Sequence, residues 1–372
     1  MTFIPGADAE ELRTVVRRFL EKRSAEAEVR RLMETDSGYD DGVWKQTANE
    51  LGLQGLIIPE QWGGSGASWL EMGVVLEEMG RALYGAPFLA SAALAAGTLL
   101  SVADSEANDR YLPGIASGDT IATLAWGGDH PLASTLSAES DDSTWTVTGT
   151  ADVVLDGANA ALLLVFADTP DGIGLFALPS STAGVTVTPL TGLDSTRKLA
   201  AISFESAEAT AVGTPGAIND QLVAALDRAT TALACDQLGG AAKVLEMSVE
   251  YANTRVQFGR KIGSFQAIKH RCADMLVEVE SARSAAYYAS WAIDNDPADL
   301  PIAASLAGSV CGEAYTRVAL DNIQNHGGIG FTWEHPAHLY LKRAKSSELY
   351  LGSPSKHRTR LATLIEIPEV GA

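Results

Sequence analysis

Basic residues are scarce in this chain. Lys and Arg number 27 against 47 Asp and Glu, a formal net charge of −20, which argues against nucleic-acid backbones and anionic membranes as partners. A small phosphorylated ligand remains compatible, because it needs only one or two local cations. Between Arg110 and Arg197 there is no Lys or Arg at all, so a surface built from that stretch is a poor grip for a pyrophosphate. Cysteine is nearly absent too. Cys235, Cys272 and Cys311 are an odd count at wide spacing, which predicts buried reduced thiols and not a disulfide framework or a metal site. His335 and His338 lack a third ligand at suitable spacing, so no metal is expected. No window is long and apolar enough to span a bilayer. The start, Met1-Thr-Phe-Ile-Pro-Gly-Ala-Asp8, has neither a basic n-region nor an apolar signal core, so a cytoplasmic protein is expected. No Gly-rich loop runs into Lys-Ser or Lys-Thr, and Gly63, Gly64 and Gly66 do not sit between a strand and a helix start.

What is present is globular. Of 372 residues, 46% are hydrophobic and 20% charged, enough for a sizeable core in two or three domains. Three textures follow one another. Residues 1–118 read as helices, with Leu12, Val15, Val16, Phe19 and Leu20, then Leu70, Met72, Val75, Leu76 and Met79, at helical spacing before Gly80. Residues 119–213 are rich in Val, Thr, Ser and Gly. Short strands are predicted at Ile121–Trp126, Trp145–Gly149, Val153–Leu155, Leu162–Phe166, Gly174–Leu178 and Val185–Pro189, a small β-barrel or sandwich. Residues 214–372 are helical again. Stripes at Phe265, Ile268, Cys272, Met275, Val279, Ala282, Ala286 and at Ile302, Leu306, Val310, Ala314, Val318 predict a bundle of four long antiparallel helices.

The most informative segment is Tyr251-Ala-Asn-Thr-Arg255-Val-Gln-Phe258-Gly259-Arg-Lys-Ile-Gly-Ser-Phe-Gln266. A Gly-bounded corner between two helices presents a guanidinium, a ring and an amide. A guanidinium grips phosphate through paired charge-assisted hydrogen bonds, an aromatic ring stacks on a flat base, and an amide fixes polar edges. Arg255, Phe258 and Gln266 together suit the adenine and pyrophosphate end of a dinucleotide. Arg260 and Lys261 are read as solvated cations or as further phosphate contacts.

This corner resembles the flavin-binding corner of acyl-CoA dehydrogenases. The resemblance extends to Gln324-Asn-His326-Gly327-Gly328-Ile-Gly330-Phe-Thr-Trp-Glu334-His-Pro336 and to Leu51-Gly-Leu-Gln-Gly-Leu-Ile-Ile-Pro59-Glu-Gln-Trp-Gly63-Gly-Ser-Gly66. It implies the α+β fold of that family, FAD as cofactor, and Gln324, Gly327 and Gly328 as further FAD contacts beside Arg255, Phe258 and Gln266. It implies an acyl-CoA substrate oxidised between its α and β carbons, with electrons passed to an electron-transfer flavoprotein.

Two departures stand against the pattern. Most members carry a catalytic Glu in a turn near the C-terminus; here Leu349-Tyr350-Leu351-Gly352-Ser353-Pro354-Ser355 puts Leu351 in its place, and leucine accepts no proton. Members that carry the Glu on the helix before the corner would have it at Ala229 or Thr230. Asp227 lies nearby, but a two-residue shift on a helix turns a side chain by roughly 200°; Glu348 is a further acid in the region. The segment after the first strand, Gly127-Gly-Asp-His-Pro131, also lacks the acidic-Pro pair and hydroxyl that hold the flavin ring, with Trp126 either stacking there or capping its own core. Together these resemble the partner subunit of actinobacterial, steroid-type heterotetramers, which lacks the catalytic residue and completes an FAD site in a homologous catalytic chain. The ending Gly352-Ser-Pro-Ser-Lys356-His357-Arg358 is similar to those chains. The alternatives are a self-sufficient dehydrogenase with a relocated acid and a non-enzymatic interaction subunit.

Overall fold

The computed structural model describes residues 3–141 and 144–367. Six α-helices come first: α1 (Ala7–Arg23), α2 (Glu26–Met33), α3 (Asp41–Asn49), α4 (Trp69–Arg81), α5 (Ala96–Val102), which continues a π-helical segment at Leu89–Ala95, and α6 (Ser105–Ala116). Seven strands follow: β1 (Ala122–Ala125), β2 (Ser137–Asp141), β3 (Thr144–Leu155), β4 (Leu162–Thr169), β5 (Gly172–Pro179), β6 (Val185–Leu190) and β7 (Leu199–Val212). Then come α7 (Asn219–Thr254), a hairpin of β8 (Val256–Gln257) and β9 (Arg260–Lys261), α8 (Gln266–Asn295), α9 (Leu300–His326), α10 (Ala337–Tyr350) and α11 (Pro354–Leu364). The chain divides into two compact units, one of Met1–Val29, Trp69–Tyr84 and Thr230–Ala372, the other of Arg30–Ser68 and Gly85–Ala229.

In the second unit the strands close on themselves. β4 pairs with β5, β5 with β7, β7 with β3, β3 with β2, and β2 returns to β4 through Ser137 and Asp168. The result is a five-stranded barrel, with β1 alongside β4 and β6 alongside β7. Leu162–Ala167 and Ile173–Leu178 are buried on both faces, so they read as continuous apolar runs and not as alternating ones. The two runs expected at Trp145–Gly149 and Val153–Leu155 are one strand, β3, with register shifts between Val147 and Gly149 and between Ala151 and Val154. Strands β2 and β7 go beyond the expected set, and β7 is the one against which β3, β5 and β6 all pair. Asp104 caps α6 by accepting from Glu106 N and Ala107 N, and its other oxygen accepts from Gly213 N at 2.8 Å. These backbone donors, Gly213 foremost, hold its carboxyl below the usual range.

The first unit is helical. The C-terminal part holds three long helices and two shorter ones, since the run after Pro336 breaks at Leu351–Ser353. On α9 the fully buried face is Ala303, Ala307, Cys311, Ala314 and Val318, while Ile302, Leu306 and Val310 are half-buried. The predicted stripe is therefore displaced by about one residue over its first half. Small side chains turn inward there because they let α8 and α9 approach closely. Helix α4 does not end at Gly80; that glycine is where α4 crosses α7. A Cβ on Gly80 would lie 1.9 Å from Asp236 O, and one on Gly239 would lie 1.8 Å from Glu77 O. Cys235 and Cys311 are buried and Cys272 is half-buried, all three as free thiols; burial pushes the Cys235 thiol up to about 12.

Two adjacent acids of α4, Glu77 and Glu78, are 4% and 1% exposed. Arg13 Nη1 lies 2.7 Å from Glu77 and 3.0 Å from Glu78, Arg17 grips Glu78 with two bonds of 2.8 and 2.7 Å, and Arg283 and Tyr287 of α8 both donate to Glu77. Burial alone would raise the Glu77 pKa, but the Arg283 and Arg13 guanidiniums outweigh it and hold the carboxyl below its ordinary 4.5.

Candidate cofactor-binding site

Helix α7 runs out at Thr254, and Arg255 N still donates to Tyr251 O at 2.8 Å. The chain then turns back at once: Val256 pairs with Lys261 and Gln257 with Arg260, leaving Phe258-Gly259 as a two-residue loop. Both loop residues have positive φ, 52° and 77°, the pattern usually met by Asn-Gly. Phenylalanine is an uncommon occupant of such a backbone, and its ring is 90% exposed. Among the described residues its one ring neighbour is Phe265, edge-on at 6.0 Å, and the Arg260 guanidinium covers Phe265 at 4.0 Å. Arg260 is thus pinned to a ring, whereas the exposed Arg255 side chain has no ion pair or hydrogen bond among the described residues. Gln266 opens α8 and is exposed.

The second segment closes α9. Gln324 is exposed, and Gly327 ends the helix with φ 62° and ψ −139°, a conformation that only glycine adopts readily. A Cβ on Gly327 or Gly328 would meet nothing within 4 Å. Gly328 therefore answers no crowding inside its own chain, and open space lies over its backbone.

Contacts at their flanks place these segments at one end of the helical unit. The Tyr251 and His326 rings stack at 4.3 Å, Arg271 reaches Asp321 at 3.3 Å and Asn325 at 3.1 Å, and Asn325 Nδ2 lies 3.8 Å from Cys272 Sγ. Arg255, Phe258, Gln266, Gln324, Gly327 and Gly328 all lie on the exposed surface of that end. No hydrogen bond joins their side chains to one another. Unspent guanidinium and amide groups, a solvated ring and an uncovered Gly-Gly backbone fit the phosphates and flat base of a nucleotide. His326 is packed, with Nδ1 2.8 Å from Asn322 O; burial lowers its pKa, partly offset by that bond, so it is neutral near pH 7. Trp333 and Phe331, 65% and 85% exposed, extend the aromatic surface, and Lys342 lies over the Trp333 ring at 4.3 Å. In the sequence they stand inside the Gly330 motif, and aromatics beside a Gly-rich turn are the signal they carry.

Leu351 stands half-buried at the end of α10, in the turn where the acid was sought. Glu348 is engaged elsewhere: its Oε2 accepts from Lys345 Nζ at 2.7 Å and from Thr316 Oγ1 at 3.1 Å. In the other unit Asp227 is 1% exposed, as is Ala229, and it is engaged within the chain. Trp126 is buried at 6% exposure. The loop after β1 binds itself, with Ser134 Oγ accepting from Gly127 N at 3.0 Å and from Leu136 N at 3.2 Å. Among the described residues no helix is long and apolar enough to cross a membrane, and no group of His, Cys, Asp and Glu is placed to hold a metal.

Comparison with known proteins gives the family. A profile for the acyl-CoA dehydrogenase N-terminal domain matches residues 6–119, and one for the C-terminal domain matches residues 220–365. The acyl-CoA dehydrogenase IpdE2 of Mycobacterium tuberculosis is 33% identical over 96% of this chain and 97% of its own length. Among solved structures, the ChsE4-ChsE5 complex from Mycobacterium tuberculosis superposes with a TM-score of 0.91 at 30% identity over 100% of both chains. A Tcur3481-Tcur3483 steroid ACAD variant gives 0.89 at 30% identity over 98% of this chain and 99% of that one. Helical, barrel and helical parts follow in the family's order, and its members are FAD-dependent oxidoreductases acting on CH–CH bonds: the chain belongs to the acyl-CoA dehydrogenase family.

Proposed function

We propose that this chain is the flavin-sharing subunit of a heterotetrameric acyl-CoA dehydrogenase, and that the proton-abstracting acid belongs to its homologous partner. One observation carries this: the turn at Leu349–Ser353 offers a leucine where an acid is needed, while the nucleotide corner is exposed and its polar groups are unspent. In this reading Arg255 binds the pyrophosphate, Phe258 stacks on the adenine, and Gln266 and Gln324 fix polar edges. The bare backbone of Gly327 and Gly328 lets the phosphates approach. When bound, FAD supplies the hydride acceptor for α,β-dehydrogenation; this chain's residues bind and orient its nucleotide tail. Two similar structures are named as two-component assemblies, one as a steroid ACAD, which supports a homologous partner and a bulky acyl-CoA substrate. An electron-transfer flavoprotein is the acceptor of this reading, and the cytoplasm its location.

The test is flavin stoichiometry. The chain purified alone should be nearly flavin-free and inactive; co-assembled with an acid-bearing homologue, it should carry about half of the FAD expected for one site per chain. A yellow, active assembly of this chain alone would overturn the proposal and favour the relocated-acid reading. In that case Asp227→Asn should abolish turnover, whereas here it leaves turnover of the mixed assembly unchanged. Arg255→Ala with unaltered flavin content would favour a non-enzymatic interaction subunit.

A further inference from the structure

A second concavity lies beside the cofactor corner within the helical unit. Its volume is about 630 Å³, and none of the six proposed FAD residues lines it. Its walls come from α1, α2, the end of α4, the last turns of α7 and the start of α10. The cations on its walls are already committed to carboxylates. Arg17 is held by Glu78, Arg81 forms a two-bond pair with Glu246, and Lys243 lies 4.0 Å from the same Glu246. Three lining acids from three different segments, Glu21, Glu250 and Glu334, are exposed and have no ion pair among the described residues. The site therefore carries an excess of negative charge.

Deeper in, three rings stand in a row. Tyr251 stacks on His326 at 4.3 Å, and His326 meets His335 at 4.2 Å. His326 is 5% exposed. Its Nδ1–H donates to Asn322 O, so the neutral ring keeps Nε2 as an acceptor, and no partner for that nitrogen exists among the described residues. Leu20, Met247 and Leu339 supply apolar wall. An unpartnered acceptor on a cavity-lining ring, an aromatic face and three unspent carboxylates call for a ligand that donates hydrogen bonds, carries positive charge and has an apolar stem. A primary ammonium has three donors and no acceptor, gains from an aromatic face, and lays its methylene stem along apolar surface.

We propose that this cavity binds an aliphatic di- or polyamine. The proposal is independent of the flavin assignment. It is tested on the assembled protein by calorimetric titration with putrescine and spermidine at fixed ionic strength, with Mg²⁺ as the charge control. Saturable spermidine binding, without comparable binding of Mg²⁺, is expected. The double substitution Glu250→Gln, Glu334→Gln should weaken binding about tenfold, as for the loss of two solvent-facing ion pairs, and Tyr251→Leu about threefold. Glu205→Gln with Glu208→Gln, two exposed acids of the barrel, should leave it unchanged. Unaltered melting temperatures establish that the variants are folded. Absence of saturable binding, or equal losses in the two double variants, would overturn the proposal, since a chain of net charge −20 attracts any polycation diffusely.

Discussion

A phenyl ring on a left-handed backbone, nearly all of it in solvent, is poorly explained by its own chain. Such a residue costs on the order of 1 kcal/mol or more, and Phe258 recovers little of it through one edge contact. Phe258→Gly should therefore raise the melting temperature of the isolated chain while lowering flavin retention in the assembly, two readouts that move in opposite senses. Gly328→Ala makes a complementary case: with open space at its Cβ, it should leave stability within about 0.5 kcal/mol and still weaken flavin binding. At this scale the sequence was legible where chemistry is concentrated. Residue types at Arg255 and Phe258 pointed to a nucleotide, but nothing in the letters revealed the two-residue loop that holds the ring out. Nor could spacing show that Glu348 is also held by Thr316, because that contact joins α9 to α10, whereas its pair with Lys345 is a local one three residues apart on α10.

Between elements, the ionic network on α4 is the main polar fastening of α1 and α8 to the helical core. Removing one partner leaves buried charge uncompensated, so Glu77→Gln should cost about 3–5 kcal/mol of unfolding free energy, measurable by urea denaturation. The pH dependence has a definite direction. Because Glu77 titrates below 4.5 in the fold, its contribution is fully present above about pH 4.5 and fades as pH falls through its folded value. Stability of the native chain should drop more steeply below pH 4.5 than that of the Glu77→Gln variant. Helix periodicity anticipated α4 and α8 but not this network, since Glu77 and Glu78 look like a solvated pair in the sequence. Strand β7 escaped notice for a related reason: its apolar residues are broken by Glu205-Ser206, where Ser206 takes a φ of 51°, and small alanines fill much of its inward face. The inward face of α9 was misjudged because alanines, and not the larger Ile302 and Leu306, turn inward.

Taken whole, the molecule joins a strongly acidic composition to a set of exposed apolar side chains. On the helical unit, Val256, Phe258, Leu276, Val277, Phe331, Trp333 and Leu349 range from 49% to 90% exposed, large apolar side chains that association would cover. The chain should accordingly self-associate or aggregate when expressed alone and form a discrete oligomer when its partner is supplied, a difference light scattering would register. Trp333→Ser should weaken that assembly if the ring is covered on association, and leave the isolated chain's melting temperature nearly unchanged.

Glycines 80 and 239 give α7 a fulcrum. From Gly239 to Arg255 is 16 residues, a rigid arm of about 24 Å at 1.5 Å per residue. Tilting it by about 5° would swing its tip by about 2 Å, far enough to take a guanidinium out of reach of a phosphate. One added methyl group at the pivot would thus be felt at the far end of the lever, as a loss of coenzyme with no residue near the coenzyme altered.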